Sequence, residues 1–270
     1  MAILLVGEKI AERMQERLAA EKKELHLVAV QVGSNAVSER YLAEKKKAAV
    51  KVGVRFSKHS FPQDIAEEDL KREIAALAAQ EDVHGIVVQL PLPRHLSQQA
   101  VLDEIPEGKD PDVLSSTAFG KFALGSSSIV PPTAHAVALL LEEHKIAVKG
   151  KRALLVGAGR LVGLPLAFWF LSQKATLTIA DKYTENLKEL SLRADIVVAG
   201  TGKAGLITGD MIREGAVVVD AGTSVEAGAT KGDVDFESVS QVAGYITPVP
   251  GGVGPLTVAC LFQNLWQLQK

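Results

Sequence analysis

Residues 149–163 read KGKRALLVGAGRLVG. Ala153 to Val156 is a short apolar run of the kind that forms a buried strand, and Gly157, Gly159 and Gly163 follow it at once. Next comes LPLAFWFLS, an apolar helical stretch. Strand, glycine-rich turn and helix in that order make a site where backbone N–H groups approach a pyrophosphate and the positive end of the helix dipole faces it. The spacing is that of the dinucleotide fingerprint with one residue added before the last glycine. A second strand, ATLTI, leads to Asp181, 24 residues beyond Gly157. An acid there is placed to accept hydrogen bonds from a ribose 2′-hydroxyl.

Outward from this unit, apolar runs recur at Leu27 to Val32, Val54 to Phe56, Gly85 to Leu90, Ala175 to Ile179, Ile196 to Ala199 and Ala216 to Asp220. Helical spacing separates most of them, at Glu39 to Lys51, Ile65 to Gln80 and Thr133 to His144. Alternation of this kind predicts an α/β protein with parallel sheets and crossover helices. From Leu92 to Pro132 five prolines and GSSS predict irregular chain. The expected division is therefore an N-terminal α/β domain over residues 1–120 and a C-terminal Rossmann-like domain over 121–253, with a cleft between them. A terminal helix, 254–270, is expected to return to the first domain.

The 270 residues are 47% hydrophobic and 23% charged, which supplies cores and argues against disorder. Thirty basic against 32 acidic residues leave a net charge of -2, so nucleic acid is not the expected partner. No apolar run reaches the roughly 18 residues of a membrane span, and the N-terminus lacks the basic start of a signal peptide. A cytoplasmic location is the expectation. Cys260 is the sole cysteine and lies in an apolar segment, so disulfides and a cysteine metal site are excluded. The six histidines show no close ligand pairing, and no metal is expected.

Three further segments carry candidate chemistry. In SERYLAEKKK, Ser38, Tyr41 and Lys45 share one helical face, which brings an aromatic platform and an amine together. A solvated basic helix is the plain alternative. GIVVQLPLP is a buried strand ending at Gln89, whose carbonyl oxygen can hold a lysine amine; polar punctuation of a strand end is equally compatible. KDPD offers Asp110 and Asp112 either as turn formers beside Pro111 or as a carboxylate for a nitrogen-rich heterocycle. Finally YITPVPGGVGPLT, residues 245–257, packs three prolines and three glycines into a rigid loop suited to a ligand wall or to an interdomain turn.

Taken together, YLAEKKK, VVQLPLP, KDPD, GDVDF and ITPVPGGVGPLT resemble, in order and over nearly the whole chain, the bifunctional methylenetetrahydrofolate dehydrogenase/methenyltetrahydrofolate cyclohydrolase family. The resemblance implies oxidation of methylenetetrahydrofolate to methenyltetrahydrofolate with a nicotinamide nucleotide, then hydrolysis to the 10-formyl derivative at the same site. It implies Lys45 as the central catalytic residue, Gln89 as its hydrogen-bond partner, Tyr41 as the ring stacked on folate and Asp112 as the carboxylate that fixes the pterin. Ser38, Val88, Leu90, Pro250, Gly251 and Gly254 are expected to line the folate pocket. Gly157, Ala158, Gly159, Gly163, Asp181, Lys182, Thr223 and Thr257 are expected to meet the nucleotide. A homodimer and a place in one-carbon metabolism feeding purine biosynthesis are implied as well.

The departures cluster around the cofactor and the approach to the folate. The family continues K-D-V-D-G-F-H-P, whereas VLSSTAFG follows Asp112 here. Its phosphate turn carries an Arg and a Ser associated with NADP, which Ala158 and Gly159 replace; its C-H-S is Ala180, Asp181, Lys182, and its D-V-G-I is Asp220, Ala221, Gly222, Thr223. Asp181 would repel a 2′-phosphate and favours NAD over NADP, while Lys182 could reverse this by pairing with that phosphate. The alternatives are an NAD-preferring or cyclohydrolase-dominant variant, a dehydrogenase for a small hydroxy or amino acid, and a nucleotide-sensing protein without turnover.

Overall fold

The computed structural model describes residues 1–34, 36–226 and 229–270. In chain order the elements are β1 (Ile3–Leu4), α1 (Glu8–Ala20), β2 (His26–Val32), α2 (Ala36–Val52), β3 (Arg55–Phe61), α3 (Glu67–Ala78), β4 (Gly85–Val88), α4 (Gln98–Leu102), α5 (Ser116–Ala123) and α6 (Pro132–Glu143). They continue with β5 (Arg152–Val156), α7 (Gly163–Ser172), β6 (Thr176–Ala180), α8 (Leu187–Leu192), β7 (Ile196–Ala199), β8 (Val217–Asp220), β9 (Ser224–Glu226), β10 (Ala229–Lys231), α9 (Phe236–Ser240), β11 (Tyr245–Ile246) and α10 (Val253–Gln267). The chain forms two compact units, one of Met1–Ala11 with Thr133–Thr257 and one of Glu12–Pro132 with Val258–Lys270. Both boundaries near the termini fall within helices, α1 and α10.

In the second of these units β2 lies between β3 and β4, all parallel, with Leu27 opposite Phe56 and Gly85. The sequence explains the order: HLVAVQV is almost wholly apolar and is covered on both faces, whereas RFSKHSF alternates and forms the edge. Leu70, Ile74 and Leu77 recur on one side of α3 and fill the core beside Val28, Val30 and Ile86. Each such side chain contributes about 1.5–3 kcal/mol by leaving water. Three acids in the first turn of α3, Glu67, Glu68 and Asp69, favour the positive end of its dipole where Ala66 provides no side-chain cap. The end of α10 closes this unit with Phe262, Leu265 and Trp266, all essentially inaccessible to solvent.

The segment from Leu92 to Pro132 is more regular than its prolines indicate, for it contains α4 and α5. Pro106, Pro111 and Pro131 all fall between helices, and the Ser115 hydroxyl caps α5 by accepting from the Ala118 N–H at 3.3 Å. A proline-rich stretch can hold short helices when its prolines mark their ends.

The other unit holds a six-stranded sheet in the order β1, β11, β8, β7, β5, β6, with every pairing parallel. β6 lies on one side of β5 and β7 on the other, so the chain reverses direction across the sheet at the end of β5. Ligands of open parallel sheets bind outside the carboxyl ends of the strands at such a point. The glycine turn of residues 157–163 follows β5 there. β9 and β10 form a separate antiparallel hairpin. Among the described residues no helix is long and apolar enough to cross a membrane.

Candidate active site and nucleotide site

The helical spacing of SERYLAEKKK is realised in α2, and it separates three consecutive lysines by environment. Lys47 is solvent-exposed and pairs with Glu44 at 2.7 Å. The Lys45 side chain is only 16% exposed, and its Nζ lies 4.0 Å from Asp112 Oδ2, itself on a side chain 19% exposed. At that separation two opposite charges attract by about 4 kcal/mol at an effective dielectric of about 20, which desolvation of both groups largely offsets. Ser38 is buried and Tyr41 is 41% exposed.

Gln89 lies at the carboxyl end of β4, where its N–H donates to Val30 O at 2.8 Å. Its Nε2 donates to Leu90 O at 3.0 Å, and its buried Oε1 has no partner among the described residues. A buried carbonyl oxygen left without a donor is costly, and a ligand or an amine that donates to it removes the cost. Gln89 and Lys45 are thus not hydrogen-bonded to each other; Lys45 is brought to Asp112 instead. Val88 is buried and Leu90 half-buried beside Gln89, and the Leu90–Pro91 peptide is cis.

The KDPD loop divides its labour. Lys109 Nζ donates to Ala78 O and Gln80 O, both at 2.8 Å, at the end of α3. Asp110 is fully buried, and its Oδ2 accepts from Leu114 N at 2.9 Å and Ser115 N at 2.8 Å. Burial pushes the Asp110 carboxyl up to about 6, against the opposing effect of the Ser115 hydrogen bonds. Asn264 Nδ2 donates to Pro111 O and Val130 O, both at 2.8 Å. Asp112, the fourth residue, is the one left facing Lys45. Val113 follows at φ 57°, a left-handed conformation that a β-branched residue rarely adopts. It occupies the place where the resembled family has glycine, so the backbone turn survives the departure in sequence while Val113 adds a buried side chain packed with Ala118 and Ile129.

In the other unit the glycines meet the requirements of a phosphate turn. Gly157 has φ +107°, and a Cβ on Gly163 would stand 1.8 Å from Gly157 O, so no side chain fits between turn and helix. A Cβ on Gly159 would meet nothing within 4 Å, and this side of the turn is open for a pyrophosphate. Ala158 lies between the two glycines in the same turn. These observations fit a dinucleotide. Asp181 is exposed just after β6, where its Oδ1 accepts from Tyr183 N at 2.9 Å and Thr184 Oγ1 at 3.3 Å. The neighbouring Lys182 Nζ sits 4.8 Å from the centroid of the Tyr183 ring.

Of the remaining expected residues, Pro250, Gly251, Gly254, Thr223 and Thr257 all belong to this same unit. Gly251 has φ +106°, and its carbonyl accepts from Gly7 N at 3.0 Å and Glu8 N at 3.2 Å, the first N–H groups of α1. Thr257 Oγ1 donates to Val253 O at 3.0 Å within α10, and Thr223 is an exposed residue just after β8. Cys260 is fully buried, which pushes its thiol up and makes it inert.

The sequence assigned no role to Asn264, which is spaced as an ordinary polar break in an apolar helix, nor to Asp220 and Asp233, which it placed only within motifs. Asp220 Oδ1 accepts from Gly222 N at 3.0 Å and Asp233 N at 3.1 Å, and its Oδ2 from Val234 N at 2.9 Å. Burial, with Asp233 adding repulsion, pushes its carboxyl up to about 6. A signal existed in VVVD, an acid ending a strand that is otherwise fully apolar.

A parallel sheet with an open glycine turn at its switch point, together with a second α/β unit that presents a half-buried lysine and carboxylate, defines a two-unit nucleotide-binding enzyme. Residues 5–112 match the model of the tetrahydrofolate dehydrogenase/cyclohydrolase catalytic domain, and residues 131–270 match the NAD(P)-binding domain of the same family. This chain belongs to the tetrahydrofolate dehydrogenase/cyclohydrolase family. It is 42% identical over 273 residues to the bifunctional protein FolD of Hydrogenobaculum sp. strain Y04AAS1, covering 99% of this chain and 98% of that one. Among solved structures it resembles the bifunctional FolD enzyme of Campylobacter jejuni with a TM-score of 0.95 at 35% identity, over 99% of this chain and 98% of the other. The FolD of Trypanosoma brucei, complexed with NADP cofactor and inhibitor, gives a TM-score of 0.94 at 34% identity over 99% and 97% of the two chains.

Proposed function

We propose that Lys45, Gln89, Tyr41 and Asp112 form the shared site of both activities, and that Asp181 makes the enzyme prefer NAD over NADP. The chain is a bifunctional enzyme of one-carbon metabolism: it oxidises 5,10-methylenetetrahydrofolate to 5,10-methenyltetrahydrofolate and hydrolyses the product to 10-formyltetrahydrofolate. The observation that carries the site assignment is the Lys45 and Asp112 pair at 4.0 Å, largely withdrawn from solvent on the face of α2 that also carries Tyr41.

Asp112 accepts hydrogen bonds from the donor nitrogens of the pterin, and Tyr41 stacks on its ring system. Ser38, Val88 and Leu90 complete the wall of the folate site in the same unit. The nicotinamide supplies an acceptor for the hydride that leaves the methylene carbon, and the protein's task in that step is positioning. The turn of Gly157, Ala158, Gly159 and Gly163 holds the pyrophosphate, with Lys182, Thr223 and Thr257 as further contacts.

Hydrolysis asks more of the side chains. Water adds to the methenyl carbon of the cationic amidinium as Lys45, acting as the free amine, takes one of its protons; that proton returns to N5 as the N5–carbon bond breaks, and the remaining hydroxyl proton is released to solvent as the formyl C=O forms. Gln89 Oε1, buried and without a protein donor, accepts from the Lys45 amine once substrate has drawn Asp112 away.

NAD preference rests on Asp181. Its Oδ1 is used by Tyr183 and Thr184, while Oδ2 has no partner among the described residues and can accept from a ribose hydroxyl. A 2′-phosphate beside that carboxylate is repelled, and Lys182 is occupied with the Tyr183 ring. The proposal also includes a cytoplasmic homodimer that supplies formyl groups for purine biosynthesis. Support for self-association comes from Leu164 and Leu171 of α7 and Ile179 of the edge strand β6, exposed apolar residues of one unit. A monomer mass in sedimentation equilibrium would remove that element.

The test of the function is steady-state oxidation of methylenetetrahydrofolate with NAD+ and NADP+ in parallel, read at the nicotinamide absorbance band. The expected result is a higher kcat/KM with NAD+, reversed in D181S. A wild-type preference for NADP+ would overturn the assignment of Asp181.

A further inference from the structure

Asp233 is buried, lies in GDVDF, a motif given no contact with substrate or nucleotide, and directs one carboxylate oxygen at a single loop. Its Oδ2 accepts from the N–H and the Oγ1 of Thr201, the latter at 2.9 Å, and from Gly202 N at 3.1 Å. The loop concerned, residues 200–203, follows β7.

That loop is the back wall of the phosphate turn. A Cβ on Gly157 would stand 2.5 Å from Gly200 O and 3.2 Å from Thr201 Cγ2, and a Cβ on Gly200 would stand 2.4 Å from Val162 Cγ1. The missing side chain of Gly157 lets the turn meet the Gly200 carbonyl, and that of Gly200 lets the Val162 side chain close on the loop. Any displacement of residues 200–203 is therefore felt by Gly157 and Val162, at the two ends of the turn.

The backbone of Asp233 is fixed independently of its side chain. Its N–H donates to Asp220 Oδ1 at 3.1 Å, its carbonyl accepts from Ile207 N at 3.0 Å, and Asp235 N donates to Ile207 O at 2.8 Å. Gly222 makes room for the carboxylate, since a Cβ there would stand 2.1 Å from Asp233 Cγ. The frame around Asp233 thus holds without the carboxylate, whereas the loop of Thr201 and Gly202 depends on it for three hydrogen bonds to a charged acceptor. Bonds of that kind are individually worth more than neutral ones, because the acceptor is charged and shielded from water.

We propose that Asp233 is a positioning residue for nucleotide binding: its carboxylate clamps residues 200–203 against the phosphate turn and keeps that turn in the conformation that receives a pyrophosphate. This inference rests on the reading of residues 157–163 as the nucleotide site. Asp233 touches neither substrate nor nucleotide in this role.

The test is equilibrium titration of the full-length wild type, D233A and D233N with NADH and with NADPH, read by nucleotide fluorescence. Hydrolysis of methenyltetrahydrofolate without nucleotide serves as the control for an intact fold and folate site. D233A is expected to raise Kd for the nucleotide that wild type binds by about tenfold or more while hydrolysis stays within about twofold. D233N keeps an acceptor oxygen and is expected to recover much of the affinity. If D233A fails to fold, T201V, which removes the hydroxyl that donates to Asp233 and accepts from Lys203 N, is expected to raise Kd by about threefold or more. Unchanged Kd in a folded D233A, or hydrolysis falling in step with affinity, would overturn the clamp. Wild type that binds neither nucleotide would instead overturn the reading of the turn.

Discussion

Replacing Asp110 by Asn should change how the stability of its unit depends on pH, and the structure fixes the sign. Asp110 is fully buried, and its carboxyl is pushed from the ordinary 3.8 up to about 6. The folded state then holds the proton more tightly than the unfolded chain does. Stability contributed by this group is fully present below 3.8 and is lost as pH rises through about 6. The shift corresponds to on the order of 3 kcal/mol. In D110N the amide oxygen still accepts from Leu114 N and Ser115 N, and nothing titrates. The difference in unfolding free energy, D110N minus wild type, should therefore rise by about 3 kcal/mol between about pH 4 and about pH 7.

His26 belongs to the same unit, and burial lowers its pKa from 6.5, so its contribution runs the other way, present above 6.5 and lost on acidification. That contribution is common to both proteins and cancels in the difference. The assay is urea denaturation followed by tryptophan fluorescence in a W169F background. Trp266 is then the only tryptophan, and it is buried in the same unit as Asp110. A difference that stays flat with pH, or that falls as pH rises, would refute the reasoning. It would mean that the two backbone N–H groups stabilise the charged carboxylate fully.

Other outcomes follow from local geometry. G163A places a methyl group against the Gly157 carbonyl and should raise nucleotide Kd by about tenfold or more, with nucleotide-free hydrolysis within about twofold, as measured by titration and by absorbance decay. D195N removes the negative charge of the carboxylate that accepts from Arg152 Nη2 at 3.0 Å and Arg213 Nη2 at 2.6 Å. Both arginines are about half exposed, so the expected loss at neutral pH is about 1 kcal/mol in denaturant unfolding. Because these arginines hold Asp195 down at about 2, its contribution is present above 3.8 and lost as pH falls through about 2.

Much of this was legible in the sequence wherever one local rule governs. The glycines at 157 and 163 announce a turn because no side chain can occupy their positions, and α2 brings Tyr41 and Lys45 to one face because the period of a helix dictates it. Less legible was anything set by long-range burial. KDPD reads as two equivalent acids, yet folding buries Asp110 as a loop brace and leaves Asp112 to meet Lys45, a distinction made partly by Asn264, 153 residues beyond Pro111. The stretch from Leu92 to Pro132 hid α4 and α5 because its prolines lie at their ends rather than inside them. Gln89 was expected to meet Lys45, yet Lys45 lies beside Asp112 and Gln89 Oε1 has no partner among the described residues, a choice set by the folded environment that a sequence pattern does not contain.

The most direct measurement is the decay of methenyltetrahydrofolate absorbance, without nucleotide, catalysed by wild type and by K45R. Arginine preserves the charge beside Asp112 but cannot release a proton, so hydrolysis should fall by about 100-fold or more while nucleotide Kd is unchanged. Hydrolysis at the wild-type rate in K45R would contradict the account, because the base would then have to be another residue.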